Sequence, residues 1–540
     1  MNIKTIKFAT FDDQRPGTSG LRKTVPHYQQ PHYTESFIQS IFTSLGGVAG
    51  KTIVLGGDGR YYGAEAAAIV LKMAVAQGAK LVLVGENGLL STPAASHVIR
   101  HYHADFGIIL SASHNPGGKD GDFGIKFNLA AGQPAPEHAT EAAFAVSKSL
   151  TEYTIADVEL PSLATPGSYR LGDTEIRVIS STADYADLME SLFDFPAIKA
   201  HIAKHPFVFD AMHAATGPYA IEVFSKRLGL PQQFLLNTKP LPDFGGGHPD
   251  PSPAHIDELK AAIAANPEVV LGAASDGDGD RNLITGRKHF VNPCDSLAVI
   301  ADNHQFIPCL RTLKGVGRTM PTSRAVDAVC TARGLNYYET PTGWKYFANL
   351  LDADLIHLCG EESFGTGGNH IREKDGIWAV LCWLNLQAAT GKTPDDIIEA
   401  HWKKYGRHIF NRFDYTALDK ATADEMLKQF EIQLEKLRGQ TVSGLLITDA
   451  QQFNYVDPTN GETSPGQGLQ IQFGEQARII CRLSGTDSRG TTLRMYVEYW
   501  QSDVNTPPAL AGTTSTLATM AQGMMNLEHY CQRTQPDNIV

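Results

Sequence analysis

The stretch Phe106-Gly107-Ile108-Ile109-Leu110 runs directly into Ser111-Ala112-Ser113-His114-Asn115-Pro116-Gly117-Gly118. The apolar run predicts a buried strand, because turn residues bound it. The segment that follows holds a serine hydroxyl between that strand and a Pro-Gly-Gly turn, on a rigid loop of the kind that carries reactive groups. An ordinary turn is the alternative, since Asn-Pro-Gly-Gly is common turn chemistry. The hydrolase pattern Gly-x-Ser-x-Gly is not met, because Ser111 and Asn115 flank Ser113.

A second apolar run, 269–274, precedes Asp276-Gly277-Asp278-Gly279-Asp280-Arg281. Three carboxylates at alternate positions can surround one hard cation and would repel one another without it. A calcium EF-hand is excluded, because Arg281 and Arg287 stand where that loop needs Gly and Glu. The run predicts a Mg²⁺ site with Arg281 beside it to hold an anion. A solvated acidic turn is the alternative.

Two further segments carry polar groups suited to a phosphorylated sugar. Cys359-Gly360-Glu361-Glu362-Ser363-Phe364-Gly365 follows the apolar run 354–358, and Glu361 and Ser363 can hydrogen-bond to sugar hydroxyls. The segment 482–491, Arg-Leu-Ser-Gly-Thr-Asp-Ser-Arg-Gly-Thr, offers backbone amides, hydroxyls and guanidinium groups to a phosphate, with Arg494 close behind. It is not a Walker A loop, because no Gly-Lys-Ser/Thr follows. Each segment alone would also fit a surface turn.

In this order the four segments resemble the serine, metal, sugar and phosphate loops of the α-D-phosphohexomutases. The segments 14–22 and 122–128 are similar to that family as well, and 339–345 and 370–376 are similar to its phosphoglucomutase branch. The chain departs from the usual pattern at Ser111, where Thr is common, at Ser275, and at Asp487 and Arg489, where small neutral residues are common.

The resemblance implies an intramolecular phosphotransferase that interconverts α-D-glucose 1-phosphate and glucose 6-phosphate through a phosphoserine and glucose 1,6-bisphosphate, which also serves as activator. The catalytic residues implied are Ser113, His114, Lys126, Lys374 and Arg22. The Mg²⁺ ligands implied are Ser113, Asp276, Asp278 and Asp280. The substrate-binding residues implied are Arg281, Thr342, Gly343, Trp344, Glu361, Ser363, Arg482, Ser484, Gly485, Thr486 and Arg494. Among the catalytic candidates, His114, Lys126 and Lys374 are candidates for general acid and base.

Strand and helix patterns alternate up to about residue 405 and then give way to mixed elements, which predicts α/β layers with site loops at the carboxyl ends of strands. The fold class expected is α/β: three similar α/β domains with mixed sheets plus a C-terminal α+β domain around a central cleft. The domains expected are 1–184 with the serine loop, 185–291 with the metal loop, 292–406 with the sugar loop and 407–540 with the phosphate loop.

Composition narrows the partners and the compartment. The 540 residues are 42% hydrophobic and 19% charged, with a net charge of −12, which argues against nucleic acid or an anionic membrane surface as partner. Seven cysteines without Cys-x-x-Cys spacing predict free thiols in a reducing cytoplasm. We expect no signal peptide, because no N-terminal segment combines a basic start with an apolar core, and no apolar run approaches the roughly 20 residues that span a bilayer. A monomer or weak homodimer is expected.

Two other functions remain open from the sequence. One is a mutase for mannose or another hexose phosphate, which the sugar segment does not exclude. The other is a non-catalytic relative on the same fold, which would be expected to show decay at the serine or metal loop; neither loop does.

Overall fold

The run Phe106–Leu110 forms a strand at the predicted residues, and all five side chains are buried. In a seven-stranded mixed sheet it lies parallel to Thr52–Gly57 and antiparallel to Asp122–Leu129. A strand that is covered on both faces has to be apolar throughout, which explains the unbroken run. The computed structural model describes residues 1–484, 490–502 and 510–540.

The first unit is built on this sheet. Its strands in spatial order are Leu21–Thr24, Asp122–Leu129, Phe106–Leu110, Thr52–Gly57, Leu81–Leu89, Thr174–Ile179 and Gly167–Leu171. Its helices are Val25–Tyr28, Tyr33–Ser44, Gly63–Ala76, Thr92–His101 and Glu137–Ser147. A separate antiparallel pair joins Asn2–Lys7 to Glu152–Asp157.

The second unit has a five-stranded mixed sheet. Its strands in spatial order are Leu235–Leu236, Phe207–Asp210, Leu271–Ser275, Asn282–Thr285 and Phe290–Val291. Its α-helices are Ala183–Leu192, Phe195–Ile202, Thr216–Ala220 and Asp257–Ala265, with a π-helix at Ile221–Arg227 and 3₁₀ turns at Gln232–Phe234 and Phe244–Gly246.

The third unit has a four-stranded mixed sheet. Its strands in spatial order are Asn336–Thr340, Gly315–Thr319, Leu358–Glu361 and Gly365–Gly368. Its α-helices are Pro293–Asp302, Ala325–Arg333, Lys345–Asp352, Gly376–Thr390 and Pro394–Tyr405, with 3₁₀ turns at His304–Phe306 and Pro308–Leu310. The last of these helices begins with a capping box in which Thr393 and Asp396 satisfy each other's backbone amides.

The fourth unit has an antiparallel six-stranded sheet. Its strands in spatial order are Asp449–Gln452, Leu469–Phe473, Ala477–Ser484, Thr491–Gln501, Arg407–Leu418 and Asn538–Ile539. Its helices are Lys420–Leu437, Leu510–Met525 and Leu527–Cys531. Two short strand pairs join Thr441–Val442 to Leu445–Leu446 and Tyr455–Val456 to Thr463–Ser464.

The apolar core follows this division only in part. The first and fourth units each bury a cluster of their own. A third cluster runs continuously through the second and third units and includes Val54, Leu83 and Val98 from the first. The first three units therefore share packed side chains, so their sheets hold a fixed geometry around the loops at the strand ends. None of the helices in the described part of the chain has the length and apolarity that a membrane crossing needs.

The predicted fold class is confirmed, and one local feature differs from the loop expected in the third unit. The apolar run 354–358 is not a strand as a whole; the strand begins at Leu358, because the preceding helix closes through Asp354, at φ 57°, and through a hydrogen bond that the Leu355 amide donates to the Leu350 carbonyl. Glu361 therefore ends a strand and does not lie in a loop. In the second unit, the helical segment that begins at Thr216 changes from α to π at Ile221.

Candidate active site

Ser113 occupies a backbone conformation that few serines adopt. Its φ is 53°, in the left-handed region where a residue with a side chain needs its surroundings to hold it. The Ser113 amide donates to Ser111 Oγ at 2.7 Å, and Arg60 Nη2 donates to the Ser113 carbonyl at 2.6 Å. The side chain is 2% exposed. These contacts fix the position of the Ser113 hydroxyl just beyond the end of the strand Phe106–Leu110.

The three aspartates of the second unit meet this serine. Asp276, Asp278 and Asp280 are buried, and each offers a carboxylate oxygen within 4.8 Å of the others. Ser113 Oγ donates to Asp276 Oδ2 at 2.8 Å. Only glycine fits at position 277, because a Cβ there would lie 2.4 Å from the Ser113 carbonyl oxygen. The serine and the acidic turn are thus in direct contact although they belong to different units.

The charges of this cluster are strongly perturbed. Burial raises the pKa of Asp276 well above its usual range, and the Asp280 and Asp278 carboxylates raise it further. Burial also opposes ionisation of Asp278, but Lys126 Nζ at 2.6 Å and Thr92 Oγ1 at 2.7 Å help to hold the pKa of Asp278 below its usual range. Among the described residues, Asp278 Oδ1 and Asp280 Oδ1 are buried without a hydrogen-bond partner. Crowded, unpaired carboxylate oxygens fit a divalent cation that prefers oxygen ligands.

Two lysines stay charged beside the aspartates. Lys374 Nζ lies 3.2 Å from Asp280 Oδ2 and 3.9 Å from Glu361 Oε2, so it connects the acidic turn to the predicted sugar segment. Burial acts to lower the pKa of each lysine, but the facing carboxylates, Asp278 for Lys126 and Asp280 for Lys374, raise it above its usual value overall. Both amines are therefore cationic at neutral pH.

His114 is neutral. Its Nδ1 lies 3.4 Å from Ser113 Oγ. Burial lowers the pKa of the ring well below its usual value, and the guanidinium groups of Arg281, Arg22 and Arg494 lower it further. The ring is thus an uncharged group beside the serine hydroxyl.

One cavity between the four units collects the remaining predicted residues. Its lining includes Arg22, Ser113, His114, Lys126, Asp280, Arg281, Thr342, Gly343, Trp344, Glu361, Ser363, Lys374, Arg482, Ser484 and Arg494. Asp276 and Asp278 adjoin it through Ser113 and Lys126. Every predicted site residue within the described ranges is accordingly found in one place. Gly485 and Thr486, with Asp487 and Arg489, lie outside the described residues.

The cavity wall has unsatisfied donors. In the described part of the chain, five lining residues carry a buried donor atom with no hydrogen-bond partner: Arg22 Nε, Arg281 Nε, Thr342 Oγ1, Trp344 Nε1 and Arg494 Nε. A buried donor without a partner is costly, so such atoms mark places where a ligand supplies the acceptor. Phosphate oxygens and sugar hydroxyls are acceptors of this kind.

Sequence reasoning missed a buried ion pair behind the serine loop. Asp58 Oδ2 accepts from Ser111 Oγ at 2.6 Å and pairs with Arg60 Nε at 2.8 Å. Since Ser111 and Arg60 both hold the Ser113 backbone, this pair sets the shape of the loop. A signal was present: Gly56-Gly57-Asp58-Gly59-Arg60 ends a buried strand with a charged pair among glycines.

Glu373 was missed as well. It lines the cavity next to Lys374, and Asn128 Nδ2 donates to its Oε1 at 2.8 Å. Burial raises the pKa of Glu373 to about 7, although the charge of Lys126 opposes the shift. No local pattern distinguishes it from an ordinary glutamate, since its partners come from another unit.

Comparison with known proteins identifies the family. Family models of phosphoglucomutase/phosphomannomutase α/β/α domains I, II and III match residues 13–154, 183–289 and 293–405, and a phosphoglucomutase-1 C-terminal domain model matches 407–537. The chain belongs to the phosphoglucomutase/phosphomannomutase family.

Within this family, close relatives that match the chain over nearly its full length are phosphoglucomutases. The Rhizobium radiobacter phosphoglucomutase is 50% identical, with 96% of this chain and 97% of that one covered. The Aspergillus fumigatus phosphoglucomutase is 45% identical, with 99% and 100% covered. Among solved structures, the open form of the Paramecium phosphoglucomutase pp63/parafusin superposes with a TM-score of 0.90 at 41% identity, covering 100% of this chain and 99% of that one.

Proposed function

We propose that this enzyme interconverts α-D-glucose 1-phosphate and glucose 6-phosphate, with Ser113 carrying the transferred phosphoryl group. Phosphoglucomutase activity is the function that its full-length relatives share. The observation that carries the role of Ser113 is its 2.8 Å hydrogen bond to Asp276 in a strained, fully held loop. Backbone strain such as the left-handed conformation of Ser113 is found most often at active sites, where it positions a reacting group.

Asp276, Asp278 and Asp280, together with a phosphate oxygen on Ser113, would hold a divalent cation. An all-oxygen donor set with no sulfur or imidazole favours Mg²⁺. When bound, the ion would neutralise the carboxylates and draw charge from the phosphoryl oxygens. Lys126 holds Asp278 in place from the other side at 2.6 Å.

The reaction needs two phosphoryl transfers in opposite directions. A sugar hydroxyl, at C6 or C1, attacks the phosphorus on Ser113; the new P–O bond forms as the bond to Oγ breaks, which gives glucose 1,6-bisphosphate. The other phosphate of that intermediate, which the substrate brought, is then transferred to Ser113. The attacking hydroxyl loses one proton and Oγ gains one, so the step is balanced. Positioning and charge neutralisation supply most of the rate in such transfers.

The protons are handled by groups of different charge. In the transfer to Ser113, neutral His114, 3.4 Å from Oγ, accepts the serine proton, and cationic Lys374, between Asp280 and Glu361, donates a proton to the sugar oxygen. The transfer from Ser113 uses the same two groups in the reverse protonation states, while Lys126 and Arg22 neutralise the transferring group in both directions. General acid and base assistance of this kind contributes roughly 10²–10⁴-fold.

The substrate is held at the opposite side of the cavity. Glu361 and Ser363 bind sugar hydroxyls, and the phosphate that is not transferred docks on a set from the fourth unit: Arg482, Ser484, Gly485, Thr486 and Arg494. Arg281, Thr342, Gly343 and Trp344 complete the contact with the substrate. Among the described residues, the Nε atoms of Arg281 and Arg494 have no hydrogen-bond partner, which supports this arrangement because an anion can accept from both.

The test is conversion of α-D-glucose 1-phosphate with Mg²⁺ and a trace of glucose 1,6-bisphosphate, followed through NADP⁺ reduction by a glucose 6-phosphate dehydrogenase. Ser113→Ala should lose at least about 10³-fold in kcat. The matched control is Ser40→Ala, since Ser40 is buried in a helix and its hydroxyl donates to the Phe37 carbonyl of the same helix. Intact mass should show one phosphoryl group on the wild type and none on Ser113→Ala.

Turnover by Ser113→Ala at the wild-type rate would remove the serine from the mechanism. Wild-type protein that is phosphorylated yet inactive on glucose 1-phosphate would move the assignment to another hexose, and mannose 1-phosphate run in parallel tests that directly. Omitting glucose 1,6-bisphosphate should slow enzyme that has lost its phosphate, because Ser113 then lacks a donor.

The boundaries 184/185, 291/292 and 406/407 are our proposal for the four domains. We also propose a cytoplasmic monomer or weak homodimer without nucleic-acid or membrane partners. All seven cysteines are free thiols, which supports a reducing compartment. Size-exclusion chromatography with light scattering tests the oligomeric state.

A further inference from the structure

A second group of metal-binding side chains lies outside the three aspartates. The loop His248-Pro249-Asp250-Pro251-Ser252-Pro253-Ala254-His255 belongs to the second unit and borders a large open cleft of about 1470 Å³. His248, Asp250 and His255 each offer a ligand atom within 4.8 Å of the others. His114 and Arg494 line both this cleft and the substrate cavity, so the loop stands at the entrance to the active site.

Two features of the histidines indicate a ligand. His248 Nδ1 is buried and has no hydrogen-bond partner among the described residues. His255 Nδ1 lies 3.1 Å from Ser252 Oγ and 3.2 Å from the Asp250 carbonyl oxygen. A histidine whose Nδ1–H donates to a carbonyl presents Nε2 as a free electron pair, which is the usual support for a metal-bound imidazole.

The donor set differs in kind from that of the aspartates. Two imidazoles and one carboxylate suit Zn²⁺, Co²⁺ or Ni²⁺, whereas Mg²⁺ prefers oxygen alone. Three prolines in the loop fix φ at alternate positions, which lowers the entropy lost when the ligands close on an ion. The two rings are 15° from parallel with centroids 4.5 Å apart, so one ring has to rotate for both nitrogens to reach the same ion.

The site is coupled to a residue of the substrate cavity. Asp250 Oδ1 lies 3.3 Å from Arg281 Nη1, and its other oxygen, Oδ2, lies 3.7 Å from His255 Nδ1. Asp250 is thus shared between the histidine and the arginine that follows the acidic turn. A cation on Asp250 would compete with Arg281 for the carboxylate and would repel its guanidinium.

We propose that His248, Asp250 and His255 form a second metal site, selective for Zn²⁺ over Mg²⁺, and that Zn²⁺ bound there inhibits the enzyme by withdrawing Asp250 from Arg281. The binding part stands on the loop alone. The inhibitory part rests on the proposed role of Arg281 in substrate binding. The ion acts here as a regulator and takes no part in phosphoryl transfer.

The test is calorimetric titration of Zn²⁺ into the full-length protein with Mg²⁺ in large excess, so that the aspartates are occupied. The wild type should bind one Zn²⁺ ion. The affinity for this ion should be at least tenfold lower in His248→Gln and in His255→Gln. Asp280→Asn should keep this binding. The matched control is His205→Gln, which breaks another close histidine pair, His201 and His205, in the same unit and should leave the affinity unchanged.

Activity provides the second readout. Without Zn²⁺, His255→Gln should turn over like the wild type. As the Zn²⁺ concentration rises, kcat/KM of the wild type should fall in proportion to the occupancy of the site. His255→Gln should need at least a tenfold higher Zn²⁺ concentration for the same loss of kcat/KM. Zn²⁺ binding that is lost in Asp280→Asn but kept in both histidine variants would overturn the site.

Binding at the histidines without any change in kcat/KM would overturn the coupling to Arg281. A wild type that has no Mg²⁺-dependent mutase activity would instead count against the proposed function, and the calorimetric result would still decide the Zn²⁺ site.

Discussion

The two sides of the active-site cavity are built on opposite plans. On the serine side, short hydrogen bonds already join the reacting groups: Ser113 to Asp276 at 2.8 Å and Lys126 to Asp278 at 2.6 Å. On the substrate side, Arg281 and Arg494 carry buried Nε atoms that have no hydrogen-bond partner in the described ranges. The chemical groups are therefore assembled before substrate arrives, while the recognition groups keep Nε donors without a hydrogen bond for the substrate to satisfy.

This difference follows from where each side is anchored. The serine and metal loops extend from strands of two units that share an apolar core, so their relative position is fixed by packing. The substrate side includes Arg482 and Arg494 on neighbouring strands of the fourth unit, whose main core is its own and which packs on the third unit through a small apolar cluster that includes Met320 and Tyr496. We therefore expect damage to the serine side to act on kcat and damage to the substrate side to act on KM.

After Ser113→Ala, the largest effect is expected from Asp280→Asn. Losing one carboxylate from the acidic turn weakens the cation site and leaves Lys374 without its 3.2 Å partner, so kcat should fall at least about a hundredfold. The measurement is kcat over a Mg²⁺ titration. Asp257→Asn is the control, because that carboxylate is 91% exposed on the same unit. An Asp280→Asn enzyme with normal kcat and a raised KM would break the comparison.

A smaller effect, and one of a different kind, is expected from Arg494→Gln. Removing a forked donor from the phosphate should raise KM for glucose 1-phosphate by about 10- to 100-fold, since a charge-assisted hydrogen bond is worth about 1.5–3 kcal/mol. Initial rates over a range of glucose 1-phosphate concentrations separate KM from kcat. The control is Arg533→Gln, a half-exposed arginine of the same unit that pairs with Asp537. If kcat fell while KM stayed constant, the two sides would not be separable.

The smallest effect on turnover, but a clear one on stability, is expected from Glu373→Gln. The pKa of Glu373 is raised to about 7 by burial, so between its ordinary value and pH 7 the folded protein holds a proton that the unfolded chain has lost. Folded stability then falls as the pH rises through this window, by up to about 3 kcal/mol above pH 7. Glutamine keeps the acceptor for Asn128 and cannot ionise.

The measurement for Glu373→Gln is the thermal midpoint with EDTA at pH 5 and pH 8. From pH 5 to pH 8, the thermal midpoint of the wild type should fall more than that of Glu373→Gln. At pH 5 the two midpoints should nearly agree. An equal loss in both proteins would mean that Glu373 is already ionised at pH 5. A larger fall in the wild type would sharpen the comparison, because it would show that ionisation of this buried carboxyl next to the serine and metal loops destabilises the fold.

Most of the candidate site could be predicted from the chain because its key residues stand in short local patterns. Ser113 lies in a serine loop after an apolar run, and Asp276 to Asp280 alternate with glycine, so neither needs a distant partner to be noticed. Asp58 and Arg60 were missed because their importance depends on Ser111 and Ser113, which lie more than fifty residues away in sequence. Glu373 was missed because its raised pKa arises from burial in the packed structure, against the opposing effects of Lys126 and Asn128 from another unit.

The sequence by itself determined which chemical groups are available and which strand end delivers each of them, because apolar periodicity and turn residues act over a few neighbours. It also determined the α/β class and the family. Tertiary structure alone decided that Glu361 ends a strand, that Asp250 is shared between His255 and Arg281, and which carboxylates are charged. Those properties depend on burial and on distances between segments that meet only when the four units pack together, and local pattern carries no information about such distances.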